Sequence, residues 1–249
     1  MGLILGLSLM LGPPSKAGRG QFALALERAL LWLALLFVLV AQVASQSRLG
    51  VLSAAVGAGV ALVVLRPTHG RTFLFGAVAI AAALAVAGEG LVERASLLGP
   101  DAGIRMELYR QVLGMIADRP LTGWGLDCFP LAFELAHSPP VSSGLVWDHA
   151  HNSYLTLWSE MGLIAGSAPM LGLFLIALRL WTTVRRSAPR PRPLAAAALG
   201  LIAAEAVHGL GDFGLEITGN LYLFLAALAL GLAEGRSSHL SAAKEPAPR

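Results

Sequence analysis

Six long, mainly apolar segments most constrain what this chain can fold into. A helix that crosses the hydrocarbon core of a bilayer needs about 20 mainly apolar residues. Only 13% of the residues are charged, whereas a soluble domain carries about 25% charged residues. We therefore expect an all-α integral membrane protein with about six transmembrane helices, over residues 28–45, 49–65, 72–88, 154–181, 194–211 and 220–233.

Residues 1–12 are also apolar, but the pair Pro13 and Pro14 ends the segment. It is too short to cross a bilayer alone and lacks the basic start of a secretory signal. We expect either an interfacial segment or the remainder of a helix that is lost upstream.

The arginine and lysine residues orient the predicted spans, because cytoplasmic loops retain them. With the N-terminus inside, only five of the 18 basic residues fall on outward segments: Arg48, Arg94, Arg105, Arg110 and Arg119. The basic character of the chain thus follows from membrane topology. No nucleic-acid motif accompanies it, so we expect membrane lipids as partners and no nucleic acid. The single cysteine, Cys128, cannot form an intrachain disulfide.

The predicted spans fall into two groups of three, separated by a large outward, periplasmic loop. A loop of this length is usually functional or disordered, and its apolar pattern favours order. The polar tail has the composition of a disordered, cytoplasmic segment. The expected parts are an N-terminal membrane part over residues 1–88, the loop over 89–153, a C-terminal membrane part over 154–235 and the tail over 236–249.

An amphipathic helix is predicted within the loop, from Asp101 as a possible N-cap to Arg119, with Pro120 ending it. Its apolar stripe predicts that the helix lies along the membrane surface. Arg105 and Tyr109 are four residues apart and therefore project together on its flank. The stripe consists of Ile104, Leu108, Val112, Met115 and Ile116.

The strongest chemical signal is the polar cluster "WDHAHN", which directly precedes a predicted span. A neutral histidine there can take a proton from a hydroxyl near pH 7, and His151 is the candidate base. Glu160 is turned about 180° from His151 on a helix, so it is not the expected partner. The cluster comprises Asp148, His149, His151 and Asn152.

Two other interpretations of this cluster stay open. In one, the polar residues only cap the helix, while Trp147, Tyr154 and Trp158 form an interfacial aromatic belt. In the other, His149, His151 and Asp148 ligate a metal. The metal hypothesis is the weaker one, because the two histidines point the same way only in extended structure.

Arg48 is a second candidate, because it stands at the outward junction of two spans, against the charge bias. An ionisable group near membrane depth is a functional hypothesis by default, and the planar guanidinium suits a diphosphate. Arg105 could be a second donor. The alternatives are a snorkelling side chain for Arg48 and a solvated helix face for Arg105.

Glu205, His208 and Asp212 lie in and after the fifth predicted span. They could line a proton or substrate path, which would indicate a transporter. Hydrogen bonds between helices explain them equally.

Four motifs, in this order, resemble those of the O-antigen ligase and polymerase superfamily of bacterial inner-membrane proteins. The third is fairly specific, while the others are individually weak. They are "SQSRLG" at Ser45 to Gly50, "RPLTGWGLDCF" at Arg119 to Phe129, "HAHNSYLTLWSEMGLIAG" from His149, and "HGLGDF" at His208 to Phe213.

The resemblance implies a metal-independent glycosyltransferase without a cofactor, active at the periplasmic face. Such enzymes transfer a glycan from undecaprenyl diphosphate to an acceptor hydroxyl, on the lipid A core for ligases and on another glycan for polymerases. His151 would match the essential histidine, and Arg48 and Arg105 would bind the diphosphate. The further substrate-binding residues expected are Asp148, His149, Asn152, Tyr109 and Arg110, of which Arg110 could replace Arg105.

The chain departs from this family in length, since members usually have about ten to twelve spans. It therefore resembles the C-terminal half of the membrane domain, which leaves a non-catalytic truncated remnant as an alternative to an enzyme. In addition, Ala165 stands where the family commonly has glycine, with Gly166 one place later. A ligase is the preferred function, and the alternatives are a polymerase of the same family and a transporter.

Overall fold

A computed structural model describes residues 1–11, 20–65, 99–141, 146–186 and 192–242 of the chain. These residues form helices and turns, and no strand occurs among them. The described helices are α1 (Gly2–Leu11), α2 (Gln21–Ala44), α3 (Arg48–Leu65), α4 (Gly99–Asp118), α5 (Phe129–Ala136), α6 (Ser153–Arg186), α7 (Pro193–His208) and α8 (Thr218–Ala242).

Three of the described helices contain a segment long and apolar enough to cross a membrane: Gln21–Gln42, Arg48–Leu65 and Ser153–Arg185. They correspond to three of the predicted spans. Two further predictions coincide with the shorter apolar helices Pro193–His208 and Thr218–Glu234. The span expected over residues 72–88 lies outside the described residues. The expectation of an all-α membrane protein is confirmed.

The chain divides into two compact units. The first comprises Met1–Ala87, Ile176–Glu205 and Tyr222–Arg249, and the second comprises Gly88–Leu175 and Ala206–Leu221. The domain boundaries expected from the sequence remain predictions.

Close helix contacts organise the first unit. The backbone of α3 at Gly57 meets the backbone of α7 at Gly200, and a Cβ at Gly57 would lie 2.5 Å from the Gly200 carbonyl oxygen. Ile4 of α1 fills the remaining space and is 1% exposed. Small residues let helix backbones approach closely where lipid provides no hydrophobic drive. Helices α1, α3 and α7 therefore meet at one point.

Helix α2 presents most of its apolar side chains outward. Such exposure is expected for a helix surrounded by lipid, since lipid tails are as apolar as the side chains. The exposed residues include Leu26, Leu30, Leu33, Leu36, Phe37 and Val40.

The predicted amphipathic helix is confirmed as α4, which ends at Asp118 just before Pro120. It begins at Gly99, so Asp101 lies in the first turn and is not the N-cap. Its stripe is buried in the core of the second unit, where α5 supplies apolar partners, and the expected position of the helix along the membrane surface stays a prediction. This core comprises Leu108, Val112, Met115, Ile116, Phe129, Ala132, Phe133, Val141, Ala150 and Leu155.

Helix α6 is broken at Gly162, whose φ of 76° and ψ of 168° are not helical. The Leu157 carbonyl lies so close to Gly166 that a Cβ there would be 2.5 Å from its oxygen. In a straight helix residues nine apart are separated by about 13.5 Å, so the chain bends sharply. The single predicted span over residues 154–181 is thus divided into a short helix, 153–161, and a long one, 163–186.

The glycine-rich turn over residues 120–125 docks into this break. The backbone N–H groups of Trp124 and Gly125 donate to the carbonyls of Ser159 and Glu160, each at 2.9 Å. In return, the N–H of Leu163 donates to the Pro120 carbonyl at 2.8 Å. The backbone groups that the broken helix leaves unpaired are therefore satisfied by the turn.

Side chains anchor the turn further. The Glu160 carboxylate, 8% exposed, accepts the Phe129 N–H at 3.1 Å and so holds the start of α5. The Trp124 indole donates to the Met115 carbonyl at 2.9 Å, and the Arg119 guanidinium lies 4.2 Å from the Trp124 ring centre. Glu160 thus has a structural role, in agreement with its expected separation from His151.

Gly123→Ala is expected to destabilise the protein. Gly123 has a φ of 64°, and a Cβ there would overlap the Glu160 carbonyl that the turn uses. Forcing a side chain into this conformation costs about 1–3 kcal/mol before the overlap is counted. The measurement is the thermal unfolding midpoint in detergent, followed by tryptophan fluorescence, which should fall by at least about 4 °C.

Gly114→Ala is the matched control, because a Cβ at this exposed position in α4 would contact nothing within 4 Å. It should leave the midpoint unchanged or raise it, since alanine favours helices over glycine by about 1 kcal/mol. Equal midpoints for the two variants would show that the docked turn contributes nothing to stability.

Candidate functional site

The predicted polar cluster lies in the second unit, immediately before α6. Asn152 caps this helix, since its Oδ1 accepts the N–H groups of Tyr154 at 3.0 Å and Leu155 at 3.1 Å. Its Nδ2 donates to the Leu210 carbonyl at 2.9 Å. Both ends of the amide are therefore committed to protein. Asn152 supports the site, and its expected substrate contact remains a prediction.

His151 is held by its backbone and by aromatic rings. Its φ is 50°, a left-handed conformation, and its carbonyl accepts the Tyr109 hydroxyl at 2.9 Å. The imidazole stands edge-on to Phe213 with ring centres 5.2 Å apart, and 6.2 Å from the Trp147 ring centre. Residues from α4, the cluster and the segment after α7 thus fix where this side chain lies.

The environment of His151 favours its neutral form. Burial, followed by the nearby Arg105 charge, lowers the pKa of His151 below its ordinary value, against an opposing effect of Asp212. Below that lowered pKa the imidazole is charged, and above it one ring nitrogen has a free lone pair. At neutral pH His151 can therefore accept a proton, as the sequence predicts for a base.

His149 lies on the same aromatic ring and has a carboxylate partner. It stacks on Phe213 with ring centres 4.2 Å apart, and its Nδ1 lies 2.8 Å from Glu216 Oε2. Burial raises the pKa of Glu216, while Ser153 and His149 oppose the rise. Glu216 could not be predicted from the sequence, because a lone acidic residue 67 positions from His149 gives no local signal.

The structure distinguishes the two arginines of α4. Arg110 donates twice to Glu107, at 2.8 Å and 2.6 Å, and this pair lowers the pKa of Glu107 to about 2. Arg105 is exposed and makes no hydrogen bond or ion pair within the described part of the chain, while its charge acts on His151 and Tyr109. Arg105 is thus the better placed to bind an anion beside His151.

Burial raises the pKa of Tyr109, so its hydroxyl remains a donor at neutral pH, as its bond to the His151 carbonyl requires. Asp148 is exposed. Arg48 is the first residue of α3 and belongs to the first unit, whereas the other predicted site residues belong to the second.

The acidic and histidine residues that suggested a transport path lie on α7 and in the turn that follows it. Glu205 belongs to the first unit, and His208 ends α7 in the second, where its Nε2 lies 3.5 Å from Asp212 Oδ2. Within the described ranges, no three His, Cys, Asp or Glu side chains are grouped so that they could hold a metal ion. Neither alternative gains support from these positions.

Comparison with known proteins identifies one family. The family model described as O-antigen ligase (Wzy_C) matches residues 33–170, which include Arg48, Arg105 and the whole polar cluster. No curated protein matches the chain.

Arg105→Gln is expected to raise the pKa of His151 towards its ordinary value, because a neighbouring positive charge is removed. Burial remains, so the shift is partial. The measurement is an NMR titration of the histidine ring protons in detergent. Arg110→Gln is the control, since Arg110 pairs with Glu107 and should leave the titration unchanged. An identical response to both substitutions would contradict the assigned position of Arg105.

Proposed function

Because the chain belongs to the O-antigen ligase family of membrane proteins, we propose that it is a glycosyltransferase that uses a lipid-linked donor. The donor is a glycan on undecaprenyl diphosphate. The acceptor is a hydroxyl group of the lipid A core. The reaction takes place at the periplasmic face of the bacterial inner membrane.

The observation that supports this proposal is the pairing of a neutral base with a free cation. Burial, and after it the charge of Arg105, lowers the pKa of His151, and Arg105 is exposed without a competing carboxylate among the described residues. Transfer from a diphosphate requires both parts, a base for the attacking hydroxyl and positive charge for the departing anion. The aromatic rings of Phe213 and Trp147 hold the base in place.

The proposed step is a direct displacement at the anomeric carbon. The acceptor oxygen forms a bond to this carbon while the bond to the diphosphate oxygen breaks. The hydroxyl proton passes to a ring nitrogen of His151, and the electron pair of the broken bond stays on the diphosphate. Because attack and departure occur on opposite faces, the anomeric configuration inverts.

Arg105 stabilises the negative charge that develops on the diphosphate. Binding of the diphosphate by Arg48, which the resemblance implies, stays a prediction. A guanidinium can donate two parallel hydrogen bonds to phosphate oxygens. A lipid diphosphate is already a good leaving group and needs mainly this cationic stabilisation. We therefore propose a metal-independent reaction. Asp148 and His149 are proposed to contact the acceptor, and Asn152 holds the helix start beneath them.

The test is transfer of glycan from purified undecaprenyl diphosphate donor to lipid A core in detergent, with EDTA present. His151→Ala should lower the rate by about 100-fold or more, since general base catalysis contributes about 10²–10⁴. His137→Ala is the control. This histidine follows α5 and its ring contacts Phe133, whereas the rings around His151 are those of Phe213 and Trp147, so the variant should retain the wild-type rate. A His151→Ala enzyme with the wild-type rate would refute the proposal, and transfer to a second donor glycan would identify a polymerase.

The role of Arg105 is tested in the same assay. Arg105→Gln should reduce kcat/KM for the donor by about 10-fold to 100-fold, as a charge-assisted contact worth about 1.5–3 kcal/mol is lost. Arg110→Gln should change it little, because Arg110 is engaged with Glu107. A larger loss for Arg110→Gln would show that the diphosphate uses Arg110 instead.

A further inference from the structure

Glu216 is an acidic residue that contacts His149 of the polar cluster, and it has no role in the proposed reaction. It lies in the turn between α7 and α8, where its backbone N–H donates to the Phe213 carbonyl at 2.9 Å. This bond places the carboxylate of Glu216 and the ring of Phe213 in one short turn. The two side chains contact the same histidine, His149, one at its edge and one at its face.

The contact between Glu216 and His149 determines which ring nitrogen carries the hydrogen. When Glu216 is ionised its carboxylate only accepts hydrogen bonds, and Nδ1 of His149, 2.8 Å from Oε2, is then the donor. In the neutral ring Nε2 then has the lone pair. His149 retains 34% of its side-chain exposure. Since Nδ1 faces Glu216, the nitrogen left for a ligand is Nε2.

The carboxylate itself is not placed to contact a substrate. Oε1 of Glu216 is buried and accepts no hydrogen bond from the residues that the structure describes, although the Ser153 and Thr156 hydroxyls lie close by. These hydroxyls donate instead to the carbonyls of Asp212 and Asn152. A buried acceptor without a donor is costly. This cost is explained if Oε2, the other oxygen of Glu216, is needed at its position next to Nδ1 of His149.

We propose that Glu216 is a positioning residue, which holds His149 in the Nδ1–H tautomer so that Nε2 accepts a hydrogen bond from a hydroxyl of the acceptor glycan. This inference rests on the proposed function and adds a specificity contact to it. His151 takes the proton from the attacking hydroxyl, and His149 holds a neighbouring hydroxyl. The ring of Phe213 contacts both imidazoles, stacking on that of His149 and meeting that of His151 edge-on.

The first test uses NMR and needs no activity. Protein labelled with ¹⁵N-histidine contains six histidines, and the His149→Gln variant identifies the signals of His149. The wild type should show His149 protonated at Nδ1. Glu216→Ala should lose this signature, and Glu216→Gln should keep it, because the amide oxygen still accepts. A wild-type His149 protonated at Nε2, or an unchanged signature in Glu216→Ala, would overturn the proposal.

The second test measures kinetics in the transfer assay. Glu216→Ala should raise KM for the acceptor by about fivefold to tenfold, the value of one hydrogen bond, and leave KM for the lipid-linked donor unchanged. Glu216→Gln should restore most of the loss. Glu134→Ala, an exposed carboxylate on α5, is the control and should match the wild type.

The outcomes separate this inference from the proposed function. A rise in KM for both substrates, or failure of Glu216→Gln to restore acceptor binding while the tautomer is kept, would overturn the positioning role. If the wild type transfers no glycan, the proposed function fails, whereas the NMR result still decides whether Glu216 orients His149.

Discussion

The backbone hydrogen bonds between the turn at residues 120–125 and the break in α6 support the rest of the second unit. They pair the groups that a broken helix would otherwise leave unsatisfied, which is essential where water is scarce. They also hold the end of α4 and the start of α5 against residues 159–163. The core between α4 and α5 and the position of Tyr109 both depend on this junction.

The two histidines of the polar cluster, His149 and His151, are close in sequence but have different surroundings. His151 has aromatic neighbours, and its pKa is lowered by burial and then by the charge of Arg105. His149, two residues earlier, has a carboxylate on its Nδ1. Divergent environments for paired titratable groups are typical of sites that divide acid, base and binding tasks. Phe213 contacts both rings, stacking on His149 and meeting His151 edge-on.

The membrane class and the amphipathic α4 could be predicted from the sequence, because both follow from the period and length of apolar runs. The polar cluster could be found because "HAHN" interrupts an apolar context. The break at Gly162 could not, since glycine is common in membrane helices and the partner turn lies 40 residues earlier. Nor could the partner of the α4 stripe, because an apolar face does not state whether protein or lipid covers it.

Two contacts in the site, that of Glu216 with His149 and that of Arg110 with Glu107, differ in how far they can be predicted from the sequence. Arg110 has Glu107 one turn before it, a spacing that sequence reasoning could have used to separate it from Arg105. Glu216 has no such neighbour, and only the fold brings it to His149. Long-range contacts of single polar residues require the tertiary structure.

The bonds from the start of α6 to the segment after α7 also bear on the order in which the protein matures. Asn152 binds a carbonyl 58 residues later, and the partners of His149 come later still. During synthesis residues 148–152 therefore emerge before the partners of His149 have been made, although Tyr109, which binds the His151 carbonyl, is already present. The contacts of His149 with Phe213 and Glu216 can therefore form only after α7 and the turn that follows it have been synthesised, and the site is completed later than the helix pair α4 and α5 beside it.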